Sequence, residues 1–315
     1  MASTTPDVLG GRAGGSPPTR QDNGRPGSQA RLVRRTMLAL VVPSIILVIL
    51  INAYPFVYAA NQSLHDGTLI NAGSFVGFGN YHATLVSSAF WQAAEFTLLF
   101  TVVGVFGSWA VGLALALLLR TRLPGRGVFK VLLLLPWIVP TVVSATSWNY
   151  LVATPQSPIV ELSGALGFGH PLFLANAGLA KLTVCLFKVW ISFPFMMLMT
   201  SAALASVDHS VYEAARMDGA SSRQQFTNIT LPIIARSTYI SWILMTIFCV
   251  NDFPTIYLLT GGGPVNATTS LVVLAYEQVF KNYQVGSGVS IAFIMTLTLI
   301  LISVLLYRQI RKAAV

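Results

Sequence analysis

The chain alternates long apolar runs with short polar segments. Six runs reach the length that crosses a bilayer, about 20 residues. They lie near residues 36–60, 92–119, 128–153, 182–207, 236–260 and 285–308. The pattern predicts an all-α integral membrane protein with six transmembrane helices. The first run, Met37 to Ala60, holds no charge. A cleaved leader has an apolar region of roughly 7–15 residues, so a retained span is expected here. Ahead of it, residues 1–30 are rich in Gly, Pro, Ser and Arg and poor in apolar side chains. Such a segment buries too little surface to offset chain entropy. Residues 1–35 are therefore expected as a disordered basic tail, and 36–315 as the membrane domain.

One interruption between spans is longer than a simple turn. Glu213 to Pro232 reads EAARMDGASSRQQFTNITLP between two greasy stretches. Asp208, Glu213, Arg216, Asp218 and Arg223 would cost on the order of 12 kcal/mol at mid-bilayer, so loop 208–232 stays outside. Ser210 and Glu213 are spaced as a capping box, as are Ser221 and Gln224. EAARMD favours helix, and Gly219 suits a left-handed stop. Pro232 is expected to break the second helix ahead of the fifth span. The loop thus reads as helix, glycine turn, helix. Its short helix mixes alanine with acids, which fits a protein socket better than a lipid surface.

Charge fixes the orientation. With the N-terminus inside, 16 of the 19 Lys and Arg residues fall in cytoplasmic segments. Leaving out the three arginines of the distant tail, 13 lie inside against 2 outside. The positive-inside rule then places both termini, and loop 208–232, in the cytoplasm. The formal charge of +9 does not imply nucleic acid, because the basic residues do not cluster with aromatics on a polar face.

Candidate chemistry is sparse. There is no GxxxxGK[ST] loop, no HExxH and no CxxC. Cys185 and Cys249 lie inside apolar runs and read as small hydrophobes. No cofactor or metal is expected in the chain. Ionisable groups inside spans are functional candidates by default. Lys188 and Asp252 are the two deepest, as a pair lining a cavity or as a structural pair. Trp148, Asn149, Trp190, Asn251 and Tyr257 supply the aromatic and amide groups that bind sugars. Aromatics near span ends also serve as interfacial anchors. Gly104, Ser108 and Gly112 form a stripe for close helix packing.

The loop also carries a resemblance. Glu213-Ala214-Ala215, Gly219, Ile229 and Leu231-Pro232 match, at the expected spacing, the EAA signature of binding-protein-dependent ABC import permeases. Asp218 and Phe226 fit as well, while Arg236 stands where the family often has a second proline. Phe75 to Tyr81 (FVGFGNY), Leu135-Pro136, Ser147-Trp148 and Leu259 to Pro264 (LTGGGP) resemble stretches of the maltose-type, carbohydrate-uptake subfamily. The likeness covers roughly residues 36–315.

The resemblance implies a type I ABC importer transmembrane domain in a prokaryotic cytoplasmic membrane. Its loop would be a cytoplasmic coupling helix. It implies a second homologous permease, two copies of an ATPase that binds ATP and Mg, and an extracytoplasmic substrate-binding protein. The lipid bilayer surrounds the complex, and no nucleic acid is involved. Glu213, Ala214, Ala215, Asp218, Gly219, Ile229, Leu231 and Pro232 would form the ATPase-coupling element. The substrate implied is a sugar or oligosaccharide, with glycerol 3-phosphate or a glycerophosphodiester as the alternative. A secondary transporter would need a repeat pair with broken helices, and a membrane enzyme would need paired carboxylates or a metal cluster. Neither pattern is evident.

Overall fold

The computed structural model describes residues 26–71, 73–121 and 124–312. The chain divides into two units, at Val57 and Tyr58. The first unit is the length of helix α1 (Pro26–Ser63) up to Val57. Its Asn52 amide donates to the Val48 carbonyl at 2.8 Å, so this polar group is satisfied within the helix. Residues 26–35, expected in the tail, form the first turns of α1. The remainder of the expected tail, 1–25, lies outside the described residues.

The second unit is helical among its described residues. Its elements are α2 (Gly79–Val86), α3 (Ser88–Leu118), α4 (Arg126–Ile138), α5 (Thr141–Val152), α6 (Pro158–Ala165) and α7 (Ala177–Ala205). They continue with α8 (His209–Met217), α9 (Ser222–Gln225), a π-turn (Phe226–Thr230), α10 (Leu231–Val250), α11 (Phe253–Thr260), α12 (Leu271–Phe280) and α13 (Val285–Lys312). Among the described residues of the chain, five helical runs are long and apolar enough to cross a membrane, and a bent pair makes up to a sixth.

The most buried span is α7, which packs along α3, α4, α10 and α11. Small residues allow this. A Cβ on Gly112 would stand 2.7 Å from the Met197 backbone nitrogen, and one on Gly104 would stand 2.8 Å from Cys249 Sγ. Ser108 between them is fully buried and returns its hydroxyl to the Gly104 carbonyl. Helix α3 therefore approaches α7 at Gly112 and α10 at Gly104 as a side-chain-bearing helix could not.

Two spans depart from the expected continuous helices. The third, expected over 128–153, bends by 92° between α4 and α5. Val139 is extended there (ψ 132°), as the residue before Pro140 prefers, and Pro140 has no N–H to donate. The bend stacks Trp137 on Phe195 at 5.3 Å. The fifth, expected over 236–260, instead runs unbroken from Ser222 to Val250 and stops at Asn251. Pro232 does not break it. It occupies the first turn of α10, where a missing N–H costs least. The π-turn just before it lets the Leu231 N–H reach back to Phe226. Asp252 then starts α11 as a separate helix, its carboxylate accepting from the Thr255 N–H at 3.0 Å.

The segments that matched family motifs close two connections. The Asn80 amide donates to the Ser63 and His65 carbonyls at 2.8 and 2.9 Å. It thereby satisfies acceptors at the C-terminal end of α1. Around LTGGGP, Gly261 and Gly262 take left-handed conformations (φ 60° and 91°). Thr268 and Thr269 hydroxyls then donate to the Gly263 and Gly262 carbonyls at 2.6 and 3.1 Å.

Candidate functional site

The polar loop folds as a compact unit around one buried aromatic. Helix α8 buries only Tyr212 and half-buries Ala215, while Glu213, Ala214, Arg216 and Met217 face outward. The Tyr212 hydroxyl lies 3.0 Å from the Thr230 hydroxyl and accepts from the Arg120 guanidinium at 3.2 Å. That guanidinium also sits 4.8 Å from the centre of the Tyr212 ring. Tyr212 therefore pins the outer helix to both α3 and the start of α10. Sequence reasoning missed it. The available signal was the single tyrosine of a short helix whose other larger apolar side chains are Val211 and Met217.

Caps define both ends of α8. The expected box of Ser210 with Glu213 does not form. Asp208 is the cap instead, and its carboxylate accepts from the Ser210 N–H at 3.0 Å. An Asp two residues ahead of a donor reaches it without help from N3. The Ser210 hydrogen bonds hold the Asp208 carboxyl below its ordinary pKa. Glu213 is left exposed, with His209 at 3.6 Å.

At the other end the Gly219 N–H bonds the Arg216 carbonyl and the Ala220 N–H bonds the Ala215 carbonyl. These are the two bonds of a Schellman stop, with Gly219 left-handed at φ 79°. No atom approaches a Cβ built on Gly219, so conformation rather than space requires glycine here. Ser221 and Gln224 form the expected capping box: the Gln224 side chain accepts from the Ser221 N–H at 2.8 Å.

The eight residues of the expected coupling element thus separate by task. Gly219 shapes the turn and Asp218 caps the helix. Ile229 and Leu231 pack with Tyr212, Leu204, Val207 and Ile234 in the core beneath the loop. Glu213 and Ala214 are exposed, Ala215 half-buried, and Pro232 exposed at the start of α10.

Within the spans, Lys188 and Asp252 meet. The ammonium donates to Asp252 Oδ2 at 2.6 Å, with the two side chains 6% and 9% exposed. The pair is enclosed in the helix core at the break between α10 and α11. Trp148 packs edge-on against Phe187 at 5.2 Å and lies 5.5 Å from Trp190. The Asn149 amide donates to the Leu259 carbonyl at 3.2 Å and ties α5 to α11. Asn251 is exposed and returns its amide to the Ile247 carbonyl at 2.9 Å. Tyr257 stacks on Phe253 at 4.7 Å, beside Tyr276. The seven side chains comprise an ion pair, a tryptophan pair and single contacts, with Trp148, Trp190 and Tyr257 packed against one buried core. Among the described residues, no group of three or more His, Cys, Asp or Glu could hold a metal ion.

Residues 108–314 match the model of a transport family, the binding-protein-dependent transport system inner membrane component. The chain belongs to this family. It is 34% identical over 275 residues to the trehalose/maltose transport system permease protein MalF of Thermococcus litoralis, covering 87% of this chain and 92% of that protein. It is 33% identical over 275 residues to the trehalose transport system permease protein SugA of Mycobacterium tuberculosis, covering 83% and 84%. Its fold matches a chain of a crystal structure of a bacterial ABC transporter involved in import of the acidic polysaccharide alginate. The TM-score is 0.78 at 17% identity, over 90% of this chain and 99% of that one. The chain is thus a permease subunit of an ABC importer, a transport component and not the ATP-hydrolysing one.

Proposed function

We propose that this permease forms half of the translocation pore of an ATP-driven importer for a sugar or oligosaccharide. A second, homologous permease supplies the other half. An extracytoplasmic binding protein delivers the solute, and two ATPase copies bind ATP and Mg below. The Lys and Arg distribution supports placing both termini and the loop in the cytoplasm.

The observation that carries the coupling role is the build of the loop. Helix α8 is rigidly capped, stopped by Gly219 and pinned through Tyr212, yet it presents Glu213, Ala214 and Met217 outward. A rigid element transmits a rigid-body motion that a slack connector would absorb. Carbohydrate specificity is supported by relatives named for trehalose and maltose transport. The phosphopolyol alternative needs a free cation on the pathway. Lys188, the cation expected deepest, is already neutralised by Asp252.

Glu213→Lys and Gly219→Asp test the coupling role in the assembled transporter. Both variants should insert and assemble, hydrolyse ATP, and lose uptake. Normal uptake by either removes the assignment. A thermal-shift screen of the cognate binding protein against sugars and phosphopolyols tests the substrate class.

A further inference from the structure

A cleft of about 230 Å³ opens beside the coupling loop, between the end of α3, the start of α4 and the end of α7. Arg120, Arg126 and Lys130 line it, and none of its lining residues is acidic. Its remaining wall is apolar, including Leu119 and Leu204, with the Ser201 hydroxyl among them. Arg126 and Lys130 stand four residues apart on one helix, so they share a face. Neither makes an ion pair among the described residues. Two like charges at this spacing repel by a few tenths of a kcal/mol. An anion between these two exposed side chains would relieve that repulsion.

Other features point to the same kind of ligand. Helix α4 begins at Arg126 behind Gly125 (φ 71°), with no acid in its first turn and no side-chain cap. The Val128 and Phe129 N–H groups turn back to the Gly125 carbonyl at 2.9 and 3.2 Å, and the positive end of the helix dipole adds to the field. Arg120 is partly committed, since it also holds the Tyr212 hydroxyl.

We infer that the cleft binds the phosphate of an anionic phospholipid in the cytoplasmic leaflet. Basic pockets between helices on the cytoplasmic side recognise such headgroups. The place of the cleft at the ends of three spans, beside the bilayer, favours a lipid over free phosphate. The bound headgroup would lie one residue from the coupling helix, through Arg120. The leaflet follows from the positive-inside orientation, but the site does not depend on which solute is transported.

The full chain, purified in non-ionic detergent, is titrated by native mass spectrometry with dioleoylphosphatidylglycerol, dioleoylphosphatidylcholine and inorganic phosphate. Detergent presents the cleft whichever way the chain inserts, so failure here is distinct from failure of the orientation or of the import reading. Phosphatidylglycerol should bind in preference to phosphatidylcholine. Arg126→Gln with Lys130→Gln should weaken it about tenfold or more. Arg126→Lys with Lys130→Arg should retain it, and Arg308→Gln should leave it unchanged. Should the double glutamine variant aggregate, each single variant carries the test with an expected loss of about threefold. Equal affinity of wild type and glutamine variants overturns the site. So does equal binding of phosphatidylcholine, or an equal loss in Arg308→Gln. Competition by inorganic phosphate at the lipid's own concentration overturns the lipid assignment.

Discussion

The Lys188–Asp252 pair separates a structural role from a transport role when taken through a double-mutant cycle. Lys188→Met leaves the Asp252 carboxylate in the core with its Oδ1 still bonded to the Thr255 N–H and its Oδ2 unpaired. Asp252→Asn keeps a good helix cap but leaves the ammonium without its counter-charge. Each change strands one buried charge, which costs about 3–5 kcal/mol. The double variant strands none. Replacing both members of a buried pair is often close to neutral, so its cost should stay within about 2 kcal/mol. The coupling energy is then several kcal/mol, far above the error of additivity at independent sites. Equilibrium SDS titration of the purified transporter measures all three variants. Singles that cost less than about 1 kcal/mol, or a double equal to their sum, refute the reasoning. Uptake supplies the second axis. If the pair only holds α7 to the break between α10 and α11, the double variant regains transport. If either charge serves the pathway, it stays inactive although stable.

The other expectations are simpler. Gly112→Val drives a side chain into the Met196–Met197 backbone, where even a Cβ would stand 2.7 Å from an atom of α7, and overpacking of this kind costs about 1–3 kcal/mol. The same titration reads it, and Gly127→Ala, with nothing within 4 Å, is the control that should be neutral or slightly stabilising. Asp208 has its carboxyl pKa lowered on folding, so its contribution to α8 is present above the unfolded value of about 3.9 and is lost as pH falls through the folded one. The protection of residues 209–212 against hydrogen exchange, taken relative to the intrinsic rate at each pH, should therefore fall below that range in the wild type and lose this pH dependence in Asp208→Ala.

The spans were legible because bilayer crossing is a condition on length and polarity, and both are written directly in the sequence. Their interruptions were not. A run such as 128–153 is apolar on both sides of Val139, and nothing in its hydropathy marks a bend of 92°. Pro140 was the local signal, but prolines within spans range from gentle kinks to full breaks. Pro232 shows the opposite error. It reads as a breaker in isolation, yet a π-turn placed just before it lets the helix continue. The break instead falls at Asn251 and Asp252, because Asp252 caps a new helix with one oxygen and takes Lys188 with the other. That pairing joins positions 64 residues apart, which no local pattern contains.

The loop shows why a short motif can mark a site and still leave its workings unread. The signature gives spacing, and spacing alone treats its seven residues as equals. The structure distributes them among three physical tasks: a turn that needs a left-handed residue, a core that needs Ile229 and Leu231, and an outward face that needs little more than Glu213 and Ala214. The side chain that fastens the arrangement, Tyr212, stands immediately before the first signature residue and belongs to none of these sets. It bonds Arg120 and Thr230, so the loop is held from α3 and from the root of α10 at once. A coupling element must be fixed to the spans it moves and free toward the partner that moves it. Tyr212 meets the first requirement and the exposed Glu213 face meets the second, on opposite sides of a helix of nine residues.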